Sequence, residues 1–334
     1  MDQNLLYIID DCLIPLKFST LEDMKNNTFI IASRKSPLAL QQTKIIQNRI
    51  AALYPELTIE ILGMTTQADQ MLSVPLTQVG GKGLFVKELE EALLEHRAHL
   101  AVHSMKDMPM ELPSGLMVPV VCEREDTRDV FVSNHYGSLE DLPSGACVGT
   151  SSVRRQSQCR AIRPDLHLND LRGNVNTRLK RLDAGDFDAL ILAAAGLKRL
   201  GLSHRITAFL SIEQLLPAAG QGALALECRT DDRLTQQRIA PLNHEDTFYC
   251  VTAERILCRY LGGNCQVPIA AYAEFKNGSI ELRGMVASMD GKTILSARHQ
   301  APVAEVQQLG EQVARDLLKQ GAAEILKEFP RSEA

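Results

Sequence analysis

Strand-like and helix-like segments alternate along this chain, and the alternation begins twice. In the first series, Ser36-Pro37 supplies an N-cap and a first-turn proline for an amphipathic helix that continues to Leu53. Buried strands are predicted at 28–32 and 100–103, a further strand at 58–64, and a second helix at 82–96. An alternation of this kind predicts an α/β domain whose sheet is largely parallel.

The second series follows Arg128. It predicts helices at 152–163 and 175–184, and strands at 130–132, 146–149, 166–169 and 189–194. Two α/β units of similar size, joined by segments that cross between them, would enclose a cleft. Because such folds bind ligands at the carboxyl ends of their strands, we expect the functional site in that cleft.

The end of the chain has a different pattern. Asn277-Gly278 and Asp290-Gly291 are hairpin signals that separate three strand-like runs. Apolar residues at helical spacing follow, at Val303, Val306, Leu309, Val313, Leu317 and Leu318. Residues 245–334 are therefore predicted to form a small α+β domain with a three-stranded antiparallel sheet. Residues 1–27 are predicted to be an N-terminal extension, and their sequence does not indicate a role.

Composition argues against several classes of protein. A chain of 334 residues with 45% hydrophobic and 23% charged residues is typical of a globular enzyme of two or three domains. The apolar stretch 5–16 is interrupted by Asp10 and Asp11 and follows no basic segment, so neither a signal peptide nor a membrane anchor is expected. With a net charge of −5, 4% aromatic residues and no tryptophan, nucleic-acid binding is not expected either. These features predict a cytoplasmic protein.

Positive charge is concentrated in one stretch of this acidic chain. Residues 150–205 contain nine Arg and two Lys against five Asp and no Glu, a net charge of +6. Arginine grips carboxylate or phosphate with two parallel hydrogen bonds and does not lose its charge. About half of these side chains are expected on solvated helix faces. The others favour a pocket for a ligand with several negative groups.

Three predicted strand-to-helix corners carry this charge. They comprise Thr150, Ser151, Ser152, Arg154 and Arg155; then Arg172, Gly173 and Arg178; and finally Arg199. Free backbone N–H groups at a helix start would reinforce the arginines in binding anions. N-capping explains the hydroxyl groups equally well, but it does not explain the Arg pair. The corners therefore favour a polycarboxylate or phosphate ligand.

The loop after the predicted strand 100–103 carries Ser104, Lys106 and Asp107. Loops at the carboxyl ends of strands are the usual place for catalytic groups in an open α/β sheet. Asp107 could donate a proton or stabilise a developing cation, and Lys106 could bind an anion. The alternative is a turn aspartate beside a solvated lysine.

The cysteines and histidines do not indicate disulfides or a metal site. The eight cysteines are scattered without a C-x-x-C pair, and His96, His99 and His103 straddle a predicted helix end and a strand. Cys265 differs from the others because it lies in a turn rich in small residues, although an incidental cysteine is the alternative. The segment 79–83 lacks the spacing of a phosphate loop and predicts a glycine loop with one cation, Lys82.

Nine segments, taken together, resemble the porphobilinogen deaminase (hydroxymethylbilane synthase) family. In chain order they are ASRKSPLAL, GGKGLFVKELE, AVHSMKDMP, CEREDTRDVFVS, GTSSVRRQ, LRGNVNTRL, LAAAGLKRLGL, PAAGQGALALECR and GGNCQVPIA. The resemblance extends from Phe29 to Leu326. So many motifs in the order of the family make it very specific.

The resemblance implies a transferase of tetrapyrrole and haem biosynthesis. Such enzymes condense four porphobilinogen molecules head to tail, with loss of ammonia, on a covalent dipyrromethane primer, and then release hydroxymethylbilane by hydrolysis. It also implies a monomer with two periplasmic-binding-protein-like domains of mixed, mainly parallel sheets and a small third domain. The implied bounds are 28–122 with 223–240, then 128–216, and then 245–334.

The same resemblance implies a role for each candidate residue. Asp107 would be the catalytic carboxylate, and Cys265 would hold the dipyrromethane cofactor through a thioether. Cofactor-binding residues would be Ser104, Lys106, Thr150, Ser151, Ser152, Arg154 and Arg155. Substrate-binding residues would be Arg34, Ser36, Lys82, Arg172, Gly173, Arg178 and Arg199. No metal is implied, because pyrrole itself is the nucleophile.

Two positions depart from the family pattern. Gln78 stands where many members have a lysine, and Ala68 stands at a position that is usually glycine. The aspartate, the arginines and the cysteine match, so activity is expected. The alternative is a non-enzymatic anion-binding protein of the periplasmic-binding type, but such a protein would have no use for Asp107 or Cys265.

Overall fold

The first sheet is assembled from two distant parts of the chain. The computed structural model describes residues 27–66, 86–263 and 267–329. The strands of this sheet are β1 (Thr28–Arg34), β2 (Thr58–Met64), β3 (Leu100–Ser104), β4 (Leu116–Val121) and β10 (Leu224–Arg229). Their order is β2-β1-β3-β10-β4. β2, β1 and β3 are parallel, whereas β10 is antiparallel to both of its neighbours.

The second sheet has the same arrangement. Its strands are β5 (Asp129–Val132), β6 (Cys147–Gly149), β7 (His167–Asn169), β8 (Ala189–Ala193) and β9 (Ala208–Phe209). Their order is β7-β6-β8-β5-β9, with the first three parallel and β5 antiparallel to β8 and β9. Because β5 follows β4 and β10 follows β9, segments 122–128 and 210–223 cross between the two sheets.

Six helices accompany these sheets among the described residues. They are α1 (Pro37–Leu53), α2 (Lys87–Leu94), α3 (Val153–Ile162), α4 (Val175–Asp183), α5 (Ala194–Arg199) and α6 (Arg233–Ile239). The Ser36 hydroxyl caps α1 by accepting a hydrogen bond from the Ala39 N–H at 3.4 Å. The bounds of α1 and β2 are those predicted. Helix α2 is described from Lys87, and the predicted start at 82 lies outside the described residues.

The sequence pattern alone did not predict β4 or β10. β4 contains Pro119, which the sheet tolerates because β4 is an edge strand. β10 contains the charged residues Glu227 and Arg229, yet every residue of this strand is buried. The Glu227 carboxylate lies 2.9 Å from the His103 ring nitrogen Nε2, so its charge has a partner inside the protein.

The third sheet is antiparallel and separate. β11 (Ile269–Lys276), β12 (Ser279–Ala287) and β13 (Ile294–Pro302) pack with α7 (Glu245–Tyr260), α8 (Val306–Lys319) and α9 (Ala322–Leu326). Asn277 and Gly278, with φ of 51° and 77°, form the predicted two-residue turn. Asp290-Gly291 instead belongs to a longer connection, 288–293. The predicted fold class, two α/β domains with mixed sheets and a small α+β domain with a three-stranded antiparallel sheet, is confirmed, whereas the exact domain bounds remain a prediction.

No helix among the described residues is long and apolar enough to cross a membrane.

The loop 288–293 of the third sheet docks on α3 of the second unit. Gly291 has a φ of 73°, and a Cβ at this position would lie 2.6 Å from the Ala161 nitrogen and 2.8 Å from the Ser157 oxygen. Arg160 donates a hydrogen bond from Nη1 to the Met289 carbonyl at 2.7 Å. The glycine therefore allows two backbones to approach each other closely.

We expect Gly291→Ala to weaken this contact. Gly278→Ala is the matched control, because Gly278 also has a positive φ of 77° but nothing lies within 4 Å of its added Cβ. The control incurs backbone strain alone, about 1–2 kcal/mol. Gly291→Ala adds a steric clash and should lower the free energy of unfolding by roughly 1–3 kcal/mol more. Urea unfolding of both variants measures the difference, and equal losses would contradict the close contact.

Candidate active site

The predicted basic corners lie along one edge of the second sheet. Strands β6, β7 and β8 are parallel neighbours, so their carboxyl ends meet at the same edge. α3, α4 and α5 begin there. Helix α5 also approaches the start of α1 in the first unit, since a Cβ on Gly196 would lie 3.7 Å from Leu38. The corners therefore face the boundary between the two units, as the sequence predicts.

Arg154 and Arg155 bind a buried carboxylate that the sequence analysis did not identify. Asp129, at the start of β5, is 0% exposed, and the two arginines are 4% and 6% exposed. Arg154 donates from Nη2 to Asp129 Oδ2 at 2.7 Å. Arg155 donates from Nη2 and Nε to Asp129 Oδ1, at 2.8 and 3.1 Å. Two guanidinium groups thus share one carboxylate.

This cluster retains positive charge that no described group neutralises. The remaining contacts of the pair are to carbonyl groups, from Arg154 to Leu216 at 2.6 Å and from Arg155 to Ile191 at 3.1 Å. The Arg154 Nε is buried and has no hydrogen-bond partner among the described residues. Burial opposes the charge of Asp129, but the two guanidinium groups hold its pKa well below the ordinary range.

Lys106 extends the positive cluster toward the first unit. Its ammonium group contacts the Gln221 side-chain oxygen at 3.5 Å. Burial and the nearby Arg155 lower the pKa of Lys106 to about 8. Burial and Arg155 also lower the pKa of Arg178 to about 10. Both shifts have the same two causes, burial first and a neighbouring cation second, and an anionic ligand would offset both.

Asp107 lies beside these cations and is exposed. It ends the short 3₁₀ turn Met105–Asp107, which follows β3 directly. Its charge interacts favourably with Lys106 and with Arg178 of the second unit. No hydrogen bond to its carboxylate occurs within the described part of the chain, so this oxygen pair is available to a ligand.

The predicted hydroxyl groups make hydrogen bonds within the protein. Ser152 caps α3 by accepting from the Arg155 N–H at 3.4 Å. Ser151 donates to the Leu171 carbonyl at 2.7 Å, and the buried Thr150 accepts from the Ser152 N–H at 3.4 Å. Ser104 accepts from Gln42 at 2.8 Å. The structure therefore supports a scaffolding role for these hydroxyl groups, and their contact with a ligand remains a prediction.

The other predicted arginines have different surroundings. Arg178 donates from Nε to the Gly173 carbonyl at 2.8 Å, and Gly173 has a φ of 98°, which favours glycine. Arg199 lies at the end of α5, and its Nη2 donates to the Gly222 carbonyl in a crossing segment at 2.6 Å. Arg34, which ends β1, and Arg172 are half-buried and each engaged in a polar or electrostatic interaction.

Four of the nine arginines in 150–205 have structural roles at the surface. Arg163, Arg181 and Arg205 form ion pairs with Asp165, Asp186 and Asp183, and Arg160 bonds the loop 288–293. This agrees with the expectation that about half of them would be ordinary helix-face residues. The remaining five are Arg154, Arg155, Arg172, Arg178 and Arg199.

The third domain holds the crossing segments and the loop after Asp107. Glu254 of α7 is fully buried and accepts two hydrogen bonds from Arg124, at 2.7 and 3.1 Å. It also accepts from the Gly220 N–H at 2.7 Å. Arg255 donates to the Pro109 carbonyl at 2.6 Å. One helix is thereby bonded to all three segments that meet at the cleft.

Six cysteines lie among the described residues, and five of them are buried. Burial raises the pKa of Cys122 to about 11. It raises the pKa of four others to about 12, namely Cys159, Cys228, Cys250 and Cys258. Such thiols are poor nucleophiles. Cys147 is half-buried.

Cys265 and Lys82 lie outside the described residues, as do Ala68 and Gln78. On one side of Cys265, the Gly263 N–H donates to the Cys258 carbonyl at 2.8 Å. On the other side, Val267 is buried in the core of the third domain. The proposed attachment point thus follows directly on a segment that is bonded to α7.

Asp129 and Gln221 are the site residues that sequence reasoning missed. Asp129 lies in CEREDTRDVFVS, one of the nine segments that resemble the family, and it begins the otherwise apolar strand DVFV. A charged residue at the start of a fully buried strand signals a buried partner. Gln221 offers no such signal, because a glutamine between two glycines is equally typical of an exposed loop.

Comparison with known proteins gives the family. Residues 29–237 match the description "Porphobilinogen deaminase, dipyromethane cofactor binding domain", and residues 248–319 match its C-terminal domain. The chain is 56% identical over 297 residues to the porphobilinogen deaminase of Chromobacterium violaceum, which covers 89% of this chain and 96% of that protein. The chain belongs to the porphobilinogen deaminase family. The predicted transferase activity and dipyrromethane cofactor are thereby confirmed.

Two solved structures of binding proteins show weaker likenesses to this chain. The methionine-binding protein MetQ is 12% identical, covers 69% of this chain and 95% of its own, and gives a TM-score of 0.44. The periplasmic aliphatic sulphonate binding protein SsuA of Escherichia coli is 14% identical, covers 70% of each chain and gives a TM-score of 0.38. These scores are too low to support a binding-protein function for this chain.

The residues present fit the porphobilinogen deaminase cofactor. Dipyrromethane carries several carboxylates, and the described part of the cleft presents Arg154, Arg155 and Lys106 together with the carboxylates of Asp129 and Asp107. The pKa of Lys106, lowered to about 8, and the Arg154 Nε, which has no hydrogen-bond partner in the described ranges, mark places where an additional anion would be favourable.

Proposed function

We propose that this chain carries its dipyrromethane on Cys265 and uses Asp107 as the acid–base group of porphobilinogen condensation. The observation that carries the proposal is the position of one exposed carboxylate among half-buried cations. Asp107 interacts with Lys106 from its own turn and with Arg178 from the facing unit. A substrate whose carboxylates bind these cations would have its reacting groups close to Asp107.

Asp107 can serve each proton transfer that the reaction needs. As an acid it protonates the amino group of porphobilinogen, which then departs as ammonia. As a carboxylate it stabilises the cation left on the pyrrole ring, because opposite charges attract strongly in a poorly solvated cleft. After the new carbon–carbon bond forms, the same carboxylate takes the α-proton and is again ready as an acid. In each condensation, the proton that Asp107 gives to the leaving amine is therefore replaced by the one it takes from the α-carbon.

The cations bind and orient what Asp107 acts on. When bound, dipyrromethane supplies a free pyrrole α-carbon that is the nucleophile for the first condensation. Arg154, Arg155 and Lys106 would hold its carboxylates, with Ser104, Thr150, Ser151 and Ser152 shaping the corner around them. Porphobilinogen itself would bind to Arg34, Ser36, Lys82, Arg172, Gly173, Arg178 and Arg199. Each condensation adds two carboxylates, which accounts for arginines on three successive corners.

The proposal extends to the surroundings of the enzyme. It describes a cytoplasmic monomer that acts on a small molecule and needs no metal, nucleic acid or membrane. Sedimentation of the purified protein would test the monomer directly.

We expect the purified chain to carry a covalent adduct of two pyrrole units on Cys265. Cys265→Ser should lack the adduct and lose essentially all activity, because the growing chain then has no attachment point. Cys147→Ser is the matched control, since Cys147 is the half-buried cysteine of the described residues and lies in β6. It should keep both adduct and activity. Intact-protein and peptide mass spectrometry locate the adduct.

An unmodified protein from cells that make ample porphobilinogen would contradict the proposal. So would an adduct that persists in Cys265→Ser. Either result would favour the alternative, a protein that binds anions in the cleft without chemistry.

A further inference from the structure

The side-chain amide of Gln221 contacts both units at once. Gln221 lies in the crossing segment 210–223 and is 0% exposed. Its Nε2 donates to the Thr127 carbonyl at 2.7 Å and to Asp129 Oδ1 at 2.9 Å. Its Oε1 accepts from the Lys106 ammonium at 3.5 Å. One buried amide thus joins the turn that carries Asp107 to the carboxylate that holds the Arg pair.

The orientation of this amide is determined by its neighbours. Reversing it would place Oε1 against the Thr127 carbonyl and the Asp129 carboxylate, so that acceptors would face acceptors. It would also turn the NH₂ group toward the ammonium of Lys106. The Nε2 group of Gln221 therefore donates to Asp129, and its Oε1 accepts from Lys106.

The backbone around Gln221 is held as firmly as its side chain. Arg124 donates from Nε to the Gln221 carbonyl at 2.8 Å, and Arg199 donates to the Gly222 carbonyl at 2.6 Å. A Cβ on Gly222 would lie 2.4 Å from the Glu125 carbonyl oxygen, and one on Gly220 would lie 2.4 Å from Met105 Cγ. Both flanking residues must remain glycine. The amide is thus presented from a backbone that has little freedom to move.

We propose that Gln221 is a positioning residue that keeps Lys106 of the first unit in register with the Asp129–Arg155 pair of the second, so that both units grip the same carboxylates. The inference deepens the proposed function and rests on it. A residue that only packed the crossing segments would have no need of an acceptor directed at Lys106.

The charged groups around Lys106 allow its contact with Gln221 to be followed through the pKa of Lys106. It is faced by Arg154 and Arg155 from α3, by Asp129 from β5 and by Asp107 from its own turn. Burial and Arg155 lower the pKa of Lys106 to about 8, whereas Asp107 and Asp129 raise it. A change in the partner at Gln221 should therefore alter the proton affinity of Lys106 in a direction set by the new group.

Two substitutions of similar shape predict opposite shifts. Gln221→Leu removes the acceptor, and it should lower the pKa of Lys106 by roughly half a unit to one unit. Gln221→Glu adds a negative charge, and it should raise that pKa by about 1–3 units. Gln221→Met replaces the leucine variant if that variant does not fold. Gln214→Leu is the control, because Gln214 is an exposed glutamine of the same crossing segment.

The titration is measured without turnover. Each variant is made in the Cys265→Ser background and labelled with acetic anhydride over a range of pH, and the labelling of Lys106 is followed by peptide mass spectrometry. In the background with Cys265, the alkaline limb of kcat/KM for porphobilinogen should move in the same direction as the labelling midpoint. Gln214→Leu should change neither the labelling midpoint nor the alkaline limb of kcat/KM.

The inference would be overturned if Gln221→Leu and Gln221→Glu shifted the pKa of Lys106 in the same direction, or if neither variant shifted it. That outcome would leave Gln221 with a packing role only. The result is separable from the proposed function. Absence of an adduct on Cys265 would defeat the proposed function, while the labelling of Lys106 would still decide the role of Gln221.

Discussion

Asp107→Asn is expected to retain its cofactor and to lose turnover. Asparagine has the same shape but can neither donate an acidic proton nor accept one from the pyrrole α-carbon. Loss of a positioned acid–base group costs about 10²–10⁴-fold in rate, and the loss of a carboxylate that stabilises a cation adds to this. We therefore expect kcat to fall by at least two orders of magnitude, measured as hydroxymethylbilane formed per enzyme.

The fold should be insensitive to this substitution. Asp107 is exposed, and its carboxylate accepts no hydrogen bond within the described part of the chain. Asp231→Asn is the control, because the Asp231 side chain is 77% exposed and its ion pair with Arg229 is long, at 3.7 Å. Both variants should unfold at the temperature of the parent, with the adduct intact by mass spectrometry. Near-normal turnover in Asp107→Asn would remove Asp107 from the proposed role.

Asp129→Asn is expected to have the largest effect on stability. The substitution leaves Arg154 and Arg155 buried without the carboxylate they share. Removal of one partner from a buried ion pair costs about 3–5 kcal/mol, because the remaining charge has no compensation. Urea unfolding should show this loss. Asp186→Asn, which breaks the surface pair with Arg181, should cost less than about 1 kcal/mol.

The pH dependence of this loss follows from the pKa of Asp129. The folded-state pKa is lowered, so the stabilisation is fully present above the ordinary aspartate pKa of about 4 and is lost as the pH falls toward the folded-state value. The stability difference between the parent and Asp129→Asn should therefore be constant between about pH 5 and pH 8 and should shrink in stronger acid. A difference that grows on acidification would contradict the assignment of the charge.

Local patterns predicted most of the elements because their causes are local. The N-cap Ser36 with Pro37 determines where α1 begins, and Asn277-Gly278 determines the turn between β11 and β12. β10 escaped prediction because the partners of its buried charges are distant in sequence: His103 lies 124 residues from Glu227, and the Ala98 carbonyl lies 131 residues from Arg229. Hydrophobic periodicity reflects neighbouring residues, so it cannot indicate a partner that is so distant in sequence.

The candidate site, like the fold, was predicted only in part from local sequence. The sequence placed Asp107 on a loop after a strand and concentrated arginine in 150–205, and the structure brings both to one cleft. The strand-to-helix corners and the family resemblance also singled out five of the nine arginines, but side-chain chemistry alone does not distinguish these five from the other four. Arg163 and Arg181 have the same chemistry as Arg154 and Arg155, but they form ion pairs with aspartates two and five residues away on the surface.

By itself, then, the sequence determined the family, the fold class and the chemical types present in the cleft, because motifs and periodicity are written in neighbouring residues. Only the tertiary structure decided that Arg154 and Arg155 share Asp129, 25 and 26 residues earlier in the chain. It also decided that Lys106 meets Gln221, 115 residues away. Buried charges depend on the partners that the fold brings to them, since water is no longer there to solvate them.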